Sequence, residues 1–311
     1  MGLYPKHVEE FLVLSGIPRG PKSDVFFVDP VNGSDSNPGR SFEAPLKTVA
    51  AAYAKCVGDQ HDTVVMLSGD TADNPAAAIN WSKDYTHLVG LSSDLPGVGQ
   101  RARVVGTAAL DLTQLITFAG NGCIARNLQF FNGGDADADA GAAIVSGHRN
   151  AFKNVFFAGM GHATPGARAG SYSLKVTGQE NLFEDCAVGL DTILRAAANA
   201  ELWLSTGSAR NIFRRSRFLS YSETAAKVAV KIDDMDRWVE FEDCTFQNFS
   251  VNWATALSNV FGISAAATHQ IILKGKNIAV GFTGWADVAA HVYSAEPAPN
   301  AGFGLGLNPT T

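Results

Sequence analysis

A chain of 311 residues that is 46% hydrophobic and 17% charged holds ample apolar material for a core, and a single elongated solenoid would escape the usual limit on core size. Its net charge of −6, with dispersed basic residues, excludes a nucleic-acid footprint. The apolar run at residues 11–17 is short and follows Glu9 and Glu10, so neither a membrane span nor a signal peptide is expected, and the chain reads as one that folds in a cytoplasm.

Residues 1–24 carry Pro5, Pro18 and Pro21 and read as an N-terminal arm with a short helix over 7–14 that docks on something. Residues 25–28 form a strand, and the turn formers of 31–39 form a loop. Over 45–56, Leu46, Val49, Ala50 and Tyr53 fall at helical spacing. One amphipathic helix here would cap the open end of a stack, whose first turn otherwise exposes apolar interior and unpaired strand edges. Residues 62–67 begin the first full turn, and strands at 87–91, 103–105 and 115–118 fit two more. The stretch 190–208 is longer than a corner needs and carries a lateral strand over 202–205. The last turn ends near residue 292, which places the main domain at 25–292. Beyond it, 293–311 reads as an extended tail in which Phe303, Leu305 and Leu307 alternate, suited to pairing with a neighbour.

From about residue 150 to 250 a six-residue phrase recurs: an aromatic, two polar residues, a small or apolar residue, any residue, another apolar one. Its copies begin at Phe152, Phe183, Phe213 and Phe241, with degenerate copies at Ala125 and Gly275. The second polar residue falls at 127, 154, 185, 215, 243 and 277, an irregular period of 27 to 34 residues that marks a solenoid. The last and third-last positions share one side of a strand, whereas the leading aromatic is out of phase with them. The polar pair must therefore turn the chain, and Asn and Asp tolerate the left-handed conformation of such a corner. Strand, corner, strand repeated without a helical stripe gives a parallel β-helix of roughly eight turns, with Phe152, Phe183, Phe213 and Phe241 as one interior ladder.

Four cysteines, Cys56, Cys123, Cys186 and Cys244, lie far apart with no CxxC motif. A zinc site is not expected, and no cofactor is. Cys186 and Cys244 share a phrase position two turns apart, ~9–10 Å at sheet spacing and beyond disulfide reach, so free buried thiols are predicted.

The series FFVDPVNGSDSNPGRSFEAPLKTVAAAYAKC followed by DTVVMLSG resembles the opening of pectate-lyase-like, right-handed parallel β-helix proteins, although Gly58-Asp59-Gln60-His61-Asp62-Thr63 departs from their Gly-Asp-Thr-Val junction. That resemblance implies a single-stranded right-handed parallel β-helix over about 25–290. The superfamily holds lyases, hydrolases, epimerases and inert shafts alike, so it fixes no activity. A narrower resemblance, carried by residues 181–192 and 209–215, is to β-helix proteins among the structural genes of tailed bacteriophages.

Three groups of residues bear on chemistry. Asp135, Asp137 and Asp139 alternate as calcium ligands would, but the glycine falls one place late and Ser146 stands where a bidentate Glu is needed, so a solvated acidic corner is the plainer reading. Asp233 and Asp234, near Asp236 and Arg237, are candidates for a glycosidase pair. β-Helix hydrolases resembling polygalacturonases add Asn-Thr-Asp, Gly-His-Gly and Arg-x-Lys motifs, and here Gly161-His162-Ala163 and Gly147-His148-Arg149 break the histidine motif. Arg214, Arg215 and Arg217 offer a base for a lyase, but 214 and 215 occupy the corner slots held by Glu184 and Asp185 one turn earlier and by Glu242 and Asp243 one turn later, which predicts structural ion pairs. His148, His162 and His269 have no sequence-near partner, and Trp203, Trp238, Trp253 and Trp285 do not follow the turn period as a sugar platform would.

These observations lead to the expectation of a non-enzymatic virion protein, a capsid decoration or cement protein that grips the major capsid protein or other virion proteins through its arms. The resemblance also implies a homotrimer, located in the virion after assembly in the host cytoplasm, without nucleic-acid or membrane partners. The alternative is a tail-associated spike, or a lyase or glycoside hydrolase that binds or degrades a polysaccharide.

Overall fold

The computed structural model describes residues 6–95, 102–251, 255–264 and 269–294. The chain winds through three parallel faces. The first stacks ten strands, from Val25–Val28 and Thr63–Leu67 through Leu182–Glu184, Asn211–Arg214 and Trp238–Glu242 to Val292–Ser294. Ile124–Asn132 and Ala151–Ala158 run through the first corner into the second face, which continues with Ala187–Arg195, Arg217–Ser222, Thr245–Phe249 and Ile278–Val280. The third face has one strand per turn and eight strands, including Gly141–Val145, Leu174–Val176, Ala200–Leu204, Val228–Ile232 and Leu257–Ile263.

The recurring phrase forms the first corner. Asn127, Asn154, Asp185, Arg215 and Asp243 have φ of 58, 51, 55, 47 and 53°, one left-handed residue per turn. Asn and Asp adopt this conformation at low cost; Arg215 does so because turns on both sides hold it there. The sixth copy is displaced from its expected register. Lys274 pairs with Glu242 and Ile278 with Thr245, so Gly275 (φ 68°) takes the corner and Asn277 falls into the Cys244 row, one residue having been inserted.

Inside, Phe152, Phe183, Phe213 and Phe241 are in register and stack with centroids 4.8, 4.5 and 5.1 Å apart and planes within 13°. Each is at most 1% exposed, and burial of a Phe side chain contributes roughly 2–3 kcal/mol. Phe157, Val188, Phe218 and Phe246 form a second ladder across the corner. A third ladder is polar. The Asn150, Asn181 and Asn211 side chains accept from the backbone N–H of Cys123, Asn150 and Asn181 at 2.7–2.9 Å, and donate to the carbonyls of Gly120, Gly147 and Gly178. These buried amides satisfy backbone groups that the turn between the third and first faces leaves unpaired. All four cysteines are buried and free, and burial pushes the Cys56 and Cys244 thiols up to about 12.

The cap helix spans Val49–Lys55 and starts at Thr48, whose side chain accepts from Ala51 N–H. Tyr53 stacks on Trp81 at 4.1 Å, and the Lys83 ammonium donates to the carbonyls of Tyr53, Ala54 and Cys56 at the helix end. A second helix, Lys6–Leu14, lies on the outside of the first face, where Val8, Leu12 and Ile17 pack with Val25, Phe27, Val65 and Val89. What the N-terminal arm docks on is thus the shaft itself. Residues 295–311, including Phe303, Leu305 and Leu307, lie outside the described residues.

Candidate functional site

The third face carries different residues on its two sides. Leu174, Leu202 and Val230 in one row, and Val176, Leu204 and Ile232 in another, point inward. Between them, facing out, Ile144, Lys175, Trp203, Lys231 and Gly262 are aligned on successive turns. The Lys175 and Lys231 ammoniums each sit 4.1 Å from the Trp203 ring centroid, and Lys175 is 5.9 Å from that of Tyr172. A cation–π contact contributes roughly 0.5–2 kcal/mol. Because sheet spacing separates the two lysine strands by ~9–10 Å, the indole is a spacer that holds two positive charges in line. Its faces are thereby occupied and cannot also stack a sugar ring.

Past each strand a second outward row begins. Thr177, Ser205, Asp233 and Ser264 donate their backbone N–H groups to Val145, Val176, Leu204 and Ile232, so the register continues and Asp233 stands between two serines. Asp233 Oδ2 lies 3.8 Å from Lys231 Nζ. Both line a cleft of about 290 Å³, together with Ser264 and Asp287. Asp287 Oδ1 accepts from Ile263 N–H at 2.9 Å, which fixes its carboxylate at the opening. Gly262, next in the lysine row, has no side chain to fill the space beyond Lys231.

Two residues before Trp203, Glu201 belongs to a charge cluster with no exposure at all. Glu201 is 3.0 Å from Arg195 and 3.2 Å from Lys227, and accepts from the Ser173 hydroxyl at 2.6 Å. Burial works against its ionisation, but the adjacent Arg195 and Lys227 more than offset that and hold its carboxyl below the ordinary range, while burial lowers Lys227. Arg195 donates to the carbonyls of Met160 and Gly159. The cluster ties the excursion Ala187–Arg195 to the third face and is closed to ligands.

The other candidate residues separate. Asp234 takes a left-handed turn (φ 56°), is exposed, and accepts from Thr206 at 3.4 Å outside the cleft lining, so the carboxylate that accompanies Asp233 is Asp287. Asp137 pairs with Arg168 and Asp139 accepts from Gly170 N–H, whereas Asp135 shares a hydrogen bond with Asp111, which raises the Asp111 carboxyl. Those three carboxylates do not converge, and among the described residues no group of three His, Cys, Asp or Glu is placed to hold a metal. Arg214 bridges Glu184 and Glu242, and Arg215 holds Asp185 and Glu184 at 2.8 and 2.9 Å. His148 accepts from Gln179 N–H, His162 caps the short helix Ala163–Gly166, and His269 is buried against His291, its imidazole lowered by burial to about 4. Trp285 is interior, and Trp253 lies outside the described residues. Sequence reasoning missed Lys175, Lys231 and Asp287. A signal existed: Leu-Lys-Val, Leu-Trp-Leu and Val-Lys-Ile place residues 175, 203 and 231 at a constant interval of 28.

Solved structures similar to this one include enzymes that act on pectin. A pectin methylesterase from Erwinia chrysanthemi aligns over 89% of this chain and 91% of its own, with a TM-score of 0.56 and 14% identity. A pectin methylesterase variant in complex with a hexasaccharide aligns over the same shares at 0.56 and 15%. A rhamnogalacturonan lyase aligns over 84% and 74%, at 0.50 and 10%. This chain shares their fold, a right-handed parallel β-helix. No protein-family model and no curated protein matches it. At such identity the likeness is one of fold. The expectation of a non-enzymatic chain is corrected on this finding, since the neighbours that share the fold are an esterase and a lyase. The expectation failed because corners and interior ladders, the most repetitive part of the sequence, are shared by shafts and enzymes alike.

Proposed function

We propose that this protein is a polysaccharide-processing enzyme that binds an acidic glycan along the outer third face and hydrolyses it in the cleft of Asp233 and Asp287. The observation that carries this reading is the aligned row Lys175–Trp203–Lys231 leading into a cleft with two carboxylates from different turns. The lysines supply charge complementarity to acidic groups repeated along a polymer, and the Thr177, Ser205 and Ser264 hydroxyls supply hydrogen bonds. Two carboxyl groups facing one cleft can divide the work of protonating a leaving oxygen and activating water. A lyase is less well supported, because Arg214 and Arg215 are committed to carboxylates at the corner of another face.

The test pairs chemistry with binding. On a panel of acidic and neutral polysaccharides, the wild type should release reducing ends from an acidic member. Asp233→Asn should lower that rate by 10²-fold or more with binding retained, and the Lys175→Ala/Lys231→Ala double variant should weaken binding by tenfold or more, increasingly at low salt. Absence of both binding and cleavage across the panel would sink the reading.

A further inference from the structure

The outward row of the third face alternates in charge from turn to turn. In chain order it presents Ile144, Lys175, Trp203, Lys231 and Gly262, so a cation stands on every second turn and none on the turns between. Solvent reaches these groups: Lys175 and Trp203 are half-buried, and the Lys231 side chain is 37% exposed. The two ammoniums are held to their spacing, because each sits 4.1 Å from the centroid of the indole between them. Beyond Lys231 the sign reverses. Asp233, whose side chain is 43% exposed, and Asp287, which is exposed, line the cleft together with Gly262. Lys231 offsets one of these charges at 3.8 Å, and the cleft lining includes no second cation.

This arrangement selects among acidic polymers. The row runs along the axis of the shaft, where turns repeat at ~4.8 Å, and a pyranose in an extended chain advances by about as much. Successive sugars therefore meet successive turns. A chain with an acid on every sugar would set one carboxylate on a lysine, the next on the uncharged indole, and a third against Asp233 and Asp287, where like charge repels it. A chain with an acid on every second sugar meets both lysines with its acids. Its neutral sugars then lie against Trp203 and in the cleft.

We infer that the third face selects a polysaccharide in which acidic and neutral sugars alternate, with the acids at Lys175 and Lys231 and the neutral sugars at Trp203 and Gly262. The bond it cleaves joins the acidic sugar on the Lys231 turn to the neutral sugar on the Gly262 turn. Water is the co-reactant: its hydroxyl goes to the anomeric carbon and its remaining proton to the leaving oxygen. Every internal cut then leaves the acidic sugar at the same end of the product. The inference rests on the reading of this face as a glycan site and adds the spacing of the charges that the site accepts.

The experiment titrates four polymers of matched length against the full chain by calorimetry in about 0.15 M salt. Hyaluronan and unsulfated chondroitin alternate uronate with a neutral N-acetylated sugar; polygalacturonate and polymannuronate are acidic at every sugar. Surface cations without a built spacing would favour the second pair, which carries more charge per length. The alternating pair should instead bind at least tenfold more tightly. Trp203→Lys, which sets cations on three consecutive turns, should remove that preference, and Trp203→Phe, which keeps an aromatic spacer, should retain it; circular dichroism checks that both variants fold. Mass spectrometry of the digested alternating polymer should show even-numbered products with the uronate at a single end. Equal affinity for the two pairs, a preference for the homopolymers, or a folded Trp203→Lys variant that binds as the wild type does would overturn the inference while the glycan site stands. Products with mixed ends, or an alternating polymer bound but uncut, would overturn the assignment of the scissile bond. Binding of none of the four would sink the inference together with the reading on which it rests.

Discussion

The first corner and the third face are built on the same stack and obey opposite rules. At the corner five successive turns repeat: left-handed residues stand at 127, 154, 185, 215 and 243, with a phenylalanine ladder beneath the last four. On the outside of the third face no two consecutive turns repeat, and the row reads Ile144, Lys175, Trp203, Lys231, Gly262. Stacked identical residues contribute cohesion between turns; a row that varies position by position contributes a surface pattern that another molecule can read. Repetition marks the scaffold, and departure from it marks the site.

That contrast can be broken by substitutions on the two sides. Phe213→Ala, in the middle of the ladder, should destabilise the fold by about 3–5 kcal/mol in chemical denaturation, whereas Lys175→Ala, which loses a cation–π contact at the surface, should cost about 1 kcal/mol or less while weakening glycan binding. A large stability loss at Lys175 would erase the distinction. Acid should act on the scaffold before the site. Burial, with His61 and Arg19 adding to it, lowers His87 to about 3 from 6.5. Its folded pKa is the lower one, so the unfolded chain binds more protons between pH 3 and 6.5 and stability rises with pH across that window. The stability lost between pH 7 and pH 4 should be about 3 kcal/mol smaller in His87→Gln than in the wild type. Asn181→Ala strands the Asn150 N–H and should cost about 2 kcal/mol, with hydrogen exchange rising at Asn150 first. Arg215→Ala removes a half-exposed pair and should cost under about 1 kcal/mol; a larger effect, measured as a shift in Tm, would mean that the left-handed corner itself depends on the arginine.

The sequence carries the fold because a ladder must use compatible residues at a fixed interval, and Phe152, Phe183, Phe213 and Phe241 announce one. The asparagine ladder was equally legible, each member standing two residues before a ladder phenylalanine, but it reads as turn composition until backbone groups are accounted for. The site was legible only in part. Asp233 drew notice beside Asp234 because the two are adjacent in sequence, yet in the stack the neighbour that counts is Asp287, 54 residues on.

The asparagine ladder also has a direction. Each side chain reaches back to the turn before it, where its oxygen meets an N–H and its nitrogen a carbonyl that no later residue would otherwise engage. A turn leaves the ribosome with those groups open and is sealed by the next one to arrive. Assembly can thus follow synthesis, each turn serving as the template that its successor closes.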